Sequence, residues 1–255
     1  MTTVRSEPAP AEPVTESAKA ASTAAPGTES AAAVPVASES AAAAPVAGSV
    51  AGEAAGWTPE APSSRASSAY LALGYLCFST TLFILAVFHA GLVSFNFIVA
   101  VFPTAIFFGG VAQFIAGIWA YSQRNFFAAV TFTSFAAFWL SYSLYTWLFL
   151  PQLVANFGNS VTAATGSFTL AWGLVALFTT IAARRVNRAV FGLLSLTTLM
   201  YLFITIGQYA VAPPVDLVGG VFALVAALLG LYVGAAYLIN GSYRRVVLPL
   251  GEPRS

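Results

Sequence analysis

Apolar residues fill six stretches of this chain, and polar residues collect between them. The stretches run over 69–89, 97–121, 126–150, 161–183, 190–211 and 215–240. A helix rises ~1.5 Å per residue, so about 20 apolar residues cross a ~30 Å hydrocarbon layer. The pattern predicts an all-α membrane protein with six transmembrane helices between residues 67 and 243. They divide into a three-plus-three arrangement. An odd number per half sets the halves in opposite senses, and inverted halves place a solute path near the membrane midplane. No letter-by-letter repeat accompanies this, so the arrangement rests on helix count.

Residues 1–66 have another character. Ala, Pro, Glu, Ser and Thr dominate, and no aromatic residue occurs before Trp57. Such a segment buries too little apolar surface to offset its ordering entropy, so a disordered tail is expected. Trp57 to Ser68 is expected to lie at the interface, because Trp favours the headgroup level. The start, MTTVRSEPAPAEP, lacks the apolar core of a cleavable signal peptide. Residues 244–255 form a short C-terminal tail. Between the spans, 151–160 and 212–216 are the two connections long enough to form loops on the outer side, and Pro213-Pro214 separates spans five and six.

Charge changes the picture by its placement. The chain is 58% hydrophobic and 7% charged, with mean hydropathy +0.81, against about 25% charged in soluble domains. Arg5, Lys19 and Arg65 precede the first span, together with seven glutamates. Arg124 lies between spans two and three, Arg184, Arg185 and Arg188 between four and five, and Arg244, Arg245 and Arg254 after six. The other three connections carry no Lys or Arg. The positive-inside rule therefore predicts a multi-pass plasma-membrane protein with both termini cytoplasmic. Nothing in this distribution points to nucleic acid. Cys77 is the single cysteine, which excludes an intrachain disulfide and a thiolate metal cluster.

The span interiors hold no Asp, Glu, Lys or Arg; Asp216 and His89 lie at outer ends. Pumps and voltage sensors place ionisable groups inside the membrane, and haem ligation by paired histidines needs more than one histidine. No nucleophile–base pair, metal site or cofactor site is expected, so the chain does not read as an enzyme. The polar groups within the spans are neutral: Gln113, Thr131, Thr133, Ser134, Thr197, Thr198, Thr205 and Gln208 among them. Helix-packing hydrogen bonds are one reading of these groups. The small-residue faces at Gly109, Gly110, Ala112, Ala116 and Gly117, and at Gly219, Gly220, Gly230 and Gly234, let helices approach closely or leave a narrow pore. Phe135, Phe138 and Trp139 share a helix face by spacing. They read either as packing or, with Phe78, as a hydrophobic constriction of the kind that gates small-solute pores. A lining of aromatics and hydroxyls suits a small solute with one apolar end, such as a monocarboxylate near its neutral form.

Phe107 to Trp139, FFGGVAQFIAGIWAYSQRNFFAAVTFTSFAAFW, resembles the acetate uptake transporter family, the YaaH-like succinate–acetate permease group. The shared pattern is Gly109, Gly110, Ala112, Gln113, Ala116 and Gly117, then Tyr121 and Asn125, then Phe132–Ser134 with Phe138-Trp139. Val247–Pro253, VLPLGEP, is similar to the family's ending, and Trp172-Gly173 and Ser195-Leu196-Thr197 fall in step. The resemblance implies six helices and a homo-oligomeric ring, typically a hexamer, with a path in each protomer. It implies transport of acetate and related small carboxylates, with protons. It also implies a constriction at Phe78, Phe135 and Leu196. Gly74, Thr81, Gln113, Thr133, Ser134, Trp139, Thr197 and Gln208 are expected along the substrate pathway, with His89 at the outer mouth.

Two departures stand out. The family's entry motif N-P-A-P-L-G is replaced by Ala69-Tyr70-Leu71-Ala72-Leu73-Gly74, without either proline. Phe135 stands where the family has a tyrosine. The alternatives are transport of another small solute on this fold, such as ammonium or ammonia, and a non-transporting membrane sensor or scaffold.

Overall fold

A computed structural model describes residues 65–251; the expected disordered tail and most of the expected interfacial stretch lie outside the described residues. Six long helices follow in chain order: α1 (Arg65–His89), α2 (Phe95–Ser122), α3 (Phe126–Phe157), α4 (Val161–Ala183), α5 (Arg188–Ala210) and α6 (Pro213–Tyr243). All six are long and apolar enough to span a membrane. Each packs on its neighbours in sequence, and α6 packs on α1, so the helices close a ring. A closed helical ring suits lipid because every span satisfies its own backbone hydrogen bonds. The outward faces are apolar, with Phe107, Phe114, Ile118, Phe178, Ile181 and Leu228 all exposed. The fold is that of a multi-pass membrane protein. The described arginines at 124, 184, 185, 188, 244 and 245 fall at helix ends on one side of this antiparallel ring.

Two boundaries differ from the sequence pattern. The stretch 151–160, expected as an outer loop, is mostly helical. α3 passes through a π-helical turn at Tyr145–Phe149 and resumes as Leu150–Phe157. Pro151 follows closely on this π-helical turn, which shifts the backbone register just where the proline lacks an N–H. The expected loop 212–216 shrinks to Val211 and Ala212. Pro213 and Pro214 begin α6, and Asp216 falls in its first turn.

Glycines set the helix register. Along α1 and α6, Gly220 meets the His89 backbone, Gly230 meets Ser79, Gly234 meets Leu76 and Gly241 meets Ser68. Steps of ten, four and seven residues along α6 are matched by ten, three and eight back along α1, so the two run antiparallel in close contact. α2 and α3 repeat the device, with Gly110 against Leu140 and Gly117 against Thr133. The α4–α5 seam is polar instead. Thr169 pairs with Thr205 at 2.9 Å, Thr180 with Thr198 at 2.9 Å, and Ser167 with Tyr209 at 2.7 Å. These hydroxyls join helices, in the manner of interhelical hydrogen bonds in lipid.

At the arginine end, residues 247–251 fold back across the ring. Asn240 receives the Val247 and Leu248 amides at 2.7 and 2.9 Å, Tyr232 donates to the Pro249 carbonyl at 2.6 Å, and the Ala189 amide donates to the Leu250 carbonyl at 3.0 Å. The VLPLG ending thus ties the start of α5 to α6.

Candidate functional site: a cavity inside the ring

A small cavity of about 10 Å³ lies among α1, α2, α3 and α5, lined by Tyr75, Phe78, Gln113, Thr131, Phe132, Phe135, Leu193 and Leu194. That volume is about what one water molecule needs. Phe78 and Phe135 meet across it with ring centroids 4.9 Å apart. Trp139 stands 6.3 Å from Phe78 and is fully buried.

Three of the lining residues carry unsatisfied polar atoms. The Tyr75 hydroxyl, both ends of the Gln113 amide and the Thr131 hydroxyl are buried without a hydrogen-bond partner in the protein. A buried donor or acceptor left unpaired costs about 1–3 kcal/mol. Four such atoms around one cavity mark a place that a polar guest completes. Gln113 stands where the π-helical turn Ala105–Ala112 passes into regular helix. Such turns shift the following side chains around the helix axis and recur at functional sites.

Tyr75 and Thr131 were not singled out as pathway residues from sequence. The signal was their spacing: Tyr75 precedes Phe78 by three residues and Thr131 precedes Phe135 by four, so each shares a helix face with its partner.

The structure brings Phe78, Gln113 and Phe135 together, with Trp139 beside Phe78. Gly74 presses on the Phe132 ring. Thr81 and Thr197 are buried and donate to backbone carbonyls of their own helices, at Cys77 (2.8 Å) and Leu193 (3.0 Å). Thr133 donates to the Ala129 carbonyl at 2.7 Å and packs on Gly117, at the α2–α3 seam. Ser134 is half-buried on α3. Leu193 and Leu194 line the cavity, whereas Leu196 is half-buried against the surrounding core.

The end of the ring away from the arginines holds the remaining two. Half-buried His89 closes α1, with its ring edge-on to Phe95 at 5.2 Å. Gln208, in the last turn of α5, donates to Asp216 Oδ2 at 2.9 Å.

Toward the arginine end, aromatic residues close over the cavity. Tyr75 stacks on Tyr237 at 5.6 Å and 8°, and meets Phe132 edge-on at 5.0 Å. Asn187 donates its amide to the Tyr237 hydroxyl at 3.0 Å and accepts the Val190 amide at 2.8 Å, capping α5. Asn125 caps α3 in the same way through Ala128, at 3.1 Å, and reaches Tyr70.

These features define a polytopic membrane protein of six helices, four of which enclose a narrow, aromatic-walled cavity among residues with unpaired polar atoms. The chain belongs to the GPR1/FUN34/yaaH family, whose sequence profile matches residues 54–251. It is 29% identical over 183 residues to the succinate-acetate/proton symporter SatP of Escherichia coli, spanning 71% of this chain and 93% of that one. It is 28% identical over 162 residues to the ammonia transport outward protein 2 of Saccharomyces cerevisiae, spanning 63% of this chain. The match covers 57% of that yeast protein and likewise 57% of a second yeast relative, the accumulation of dyads protein 2. The structure of the bacterial acetate channel SatP shares the fold, with a TM-score of 0.63 and 24% identity over 71% of this chain and 98% of that one.

Proposed function

We propose that this protein carries acetate and related small carboxylates across the plasma membrane through the centre of the ring, together with a proton. The observation behind this reading is the cavity itself. Gln113, Thr131 and Tyr75 offer unpaired donors among Phe78, Phe132 and Phe135. A carboxylic acid has one polar and one apolar end to satisfy both. An unpaired anion in such apolar surroundings is costly, so the neutral acid is the form that passes. Its passage requires Phe78 and Phe135 to part, because the cavity admits about one water. The arginine end faces the cytoplasm, and Phe78 and Phe135, with Leu193 and Leu194 on the α5 wall, form the narrow part of the path. The working form is a ring of copies, typically six by the family resemblance, with lipid on its outer faces.

A second reading is movement of ammonia, favoured by the uncharged constriction and by the yeast relative's name. The test is uptake of labelled acetate by purified full-length protein in liposomes, against protein-free liposomes, with ammonium and longer monocarboxylates as competitors. Protein-dependent uptake that unlabelled acetate displaces and ammonium does not supports the carboxylate reading. No protein-dependent uptake of acetate overturns it.

A further inference from the structure

Asp216 is the one acidic side chain among residues 65–251. It lies in the first turn of α6, half-buried, facing the last turn of α5. Its Oδ2 accepts from Gln208 Nε2, and its Oδ1 is buried without a partner. The close approach depends on Gly207, where any side chain would collide with Asp216 Oδ1. The positions at 193, 197, 201 and 208 are spaced by four, four and seven, which keeps them on one face of α5. Leu193 lines the cavity, Thr197 and Tyr201 are buried, and Gln208 holds Asp216. One helix face therefore leads from the carboxyl to the cavity, about 22 Å along α5 at ~1.5 Å per residue.

The charges around Asp216 leave it without a counter-ion. α5 presents the neutral Gln208, and Tyr209 beside it is bound to Ser167. α1 ends at His89, whose backbone presses on Gly220, one turn along α6 from Asp216. The tyrosines of α6, at 232, 237 and 243, lie at least four turns further on, and the described arginines are at the opposite end. A carboxylate with a shielded, donor-free oxygen and no cation beside it is relieved by taking a proton.

We propose that Asp216, positioned by Gln208, is a proton-loading site at the arginine-free end of the ring. Resting on the carboxylate-transport reading above, it hands its proton to the entering substrate. The Asp216 carboxylate takes a proton from water on that side. Its O–H bond then breaks as an O–H bond forms on the entering carboxylate ion, leaving Asp216 ionised and the substrate neutral for the aromatic constriction. Donor and acceptor are both carboxyl groups, so the transfer is close to balanced.

The test compares the wild-type protein with Asp216→Asn, which keeps an acceptor for Gln208 but binds no proton. Both are reconstituted full-length, and the initial rate of acetate uptake is read with and without an inward proton gradient, after subtraction of protein-free vesicles. Bulk protonation of acetate alone raises the neutral form about tenfold per pH unit of outside acidification in both proteins, so the ratio is expected to exceed that bulk value in wild type and to fall to it in Asp216→Asn. Equal ratios in the two proteins overturn the proposal. A second readout does not depend on transport: a lipid-soluble carbodiimide, which attacks protonated carboxyls in apolar surroundings, should label Asp216 more as pH falls, read by mass spectrometry of the α6 peptide. If acetate does not move in either protein and Asp216 is labelled, the proton site stands and the carboxylate reading falls. If Asp216 is unlabelled at every pH, the proton site falls.

Discussion

The side-chain amide of Asn125 donates to the Tyr70 hydroxyl at 3.0 Å while its carbonyl oxygen caps α3 at the Ala128 amide. One residue thereby fixes the entry of α3 and pins α1 beside it. Tyr70 occupies the second position of the replaced entry motif, where the family resemblance expects a proline. The motif has lost its prolines and gained a hydrogen-bonded anchor. Asn187 and Tyr237 repeat the arrangement between α5 and α6.

Removing the anchor and removing the cap should therefore cost different amounts. Tyr70→Phe loses one hydrogen bond, worth about 0.5–1.5 kcal/mol. Asn125→Ala loses that bond together with an N-cap, itself worth about 1 kcal/mol. Thermal unfolding in detergent should rank wild type above Tyr70→Phe and Tyr70→Phe above Asn125→Ala. The same order is expected for Tyr237→Phe and Asn187→Ala. A Tyr70→Phe protein less stable than Asn125→Ala contradicts the shared role of Asn125.

Glycine substitutions should divide by what they meet. A methyl at Gly220 runs into the His89 backbone, which cannot swing aside, whereas one at Gly192 meets the end of Leu229 at 3.3 Å. Overpacking against a fixed partner costs about 1–3 kcal/mol. Gly220→Ala should lower the unfolding temperature and the yield of folded protein, and Gly192→Ala should stay close to wild type. Equal effects would sink the register described for α1 and α6.

Much of this architecture was legible in the sequence. Twenty-residue apolar runs and arginines in alternate connections are coarse signals, set by bilayer thickness and charge transfer, and they survive without knowledge of packing. The ends of α3 and α6 were harder to read. Pro151 and Pro213-Pro214 look like breaks in a sequence, yet Pro213 and Pro214 fall in the first turn of α6, where a proline loses nothing, and Pro151 is carried within α3 behind a π-helical turn. The site was half legible. Phe78, Gln113 and Phe135 came from the family pattern, while Tyr75 and Thr131 are ordinary letters whose meaning lies in having no partner once folded. At the α5 wall the cavity is lined by Leu193 and Leu194, three and two residues before the Leu196 that the resemblance singles out.

The cavity's polar groups make the sharpest functional prediction. Gln113→Leu keeps bulk and removes both unpaired ends of the amide. Acetate flux should fall by roughly five- to a hundredfold, the equivalent of about 1–3 kcal/mol. Phe135→Tyr adds a hydroxyl beside the passing carboxyl and should raise flux. Liposome uptake at matched protein density measures both. Unchanged flux in both variants counts against the cavity as part of the path.

Sidedness is open to direct labelling. A membrane-impermeant thiol reagent applied to intact cells should reach a cysteine introduced by Asn159→Cys and miss one introduced by Arg185→Cys, in a Cys77→Ser background. The reverse pattern would overturn a cytoplasmic arginine end.

Substrate protonation adds its own pH signature. The reference carboxyl pKa of roughly 4 implies about a tenfold rise in neutral acid per pH unit below neutrality. Acetate uptake should grow as the outside medium is acidified, and His89→Gln should keep most of that growth if the neutral acid is the permeant form. Flat profiles in both proteins exclude proton-linked carboxylate movement.

The glycine seams carry a further consequence for solute size. Where a glycine lies directly on backbone, as Gly220 does on His89, a helix has no soft side chain to compress, and the wall holds its spacing there. Width is then decided by the rotamers of a few rings, chiefly Phe78 and Phe135. The ring of helices behaves as a rigid barrel fitted with an interchangeable aperture. The size cutoff should follow the volume of the residue at 135, step by step, while the barrel around it keeps its dimensions.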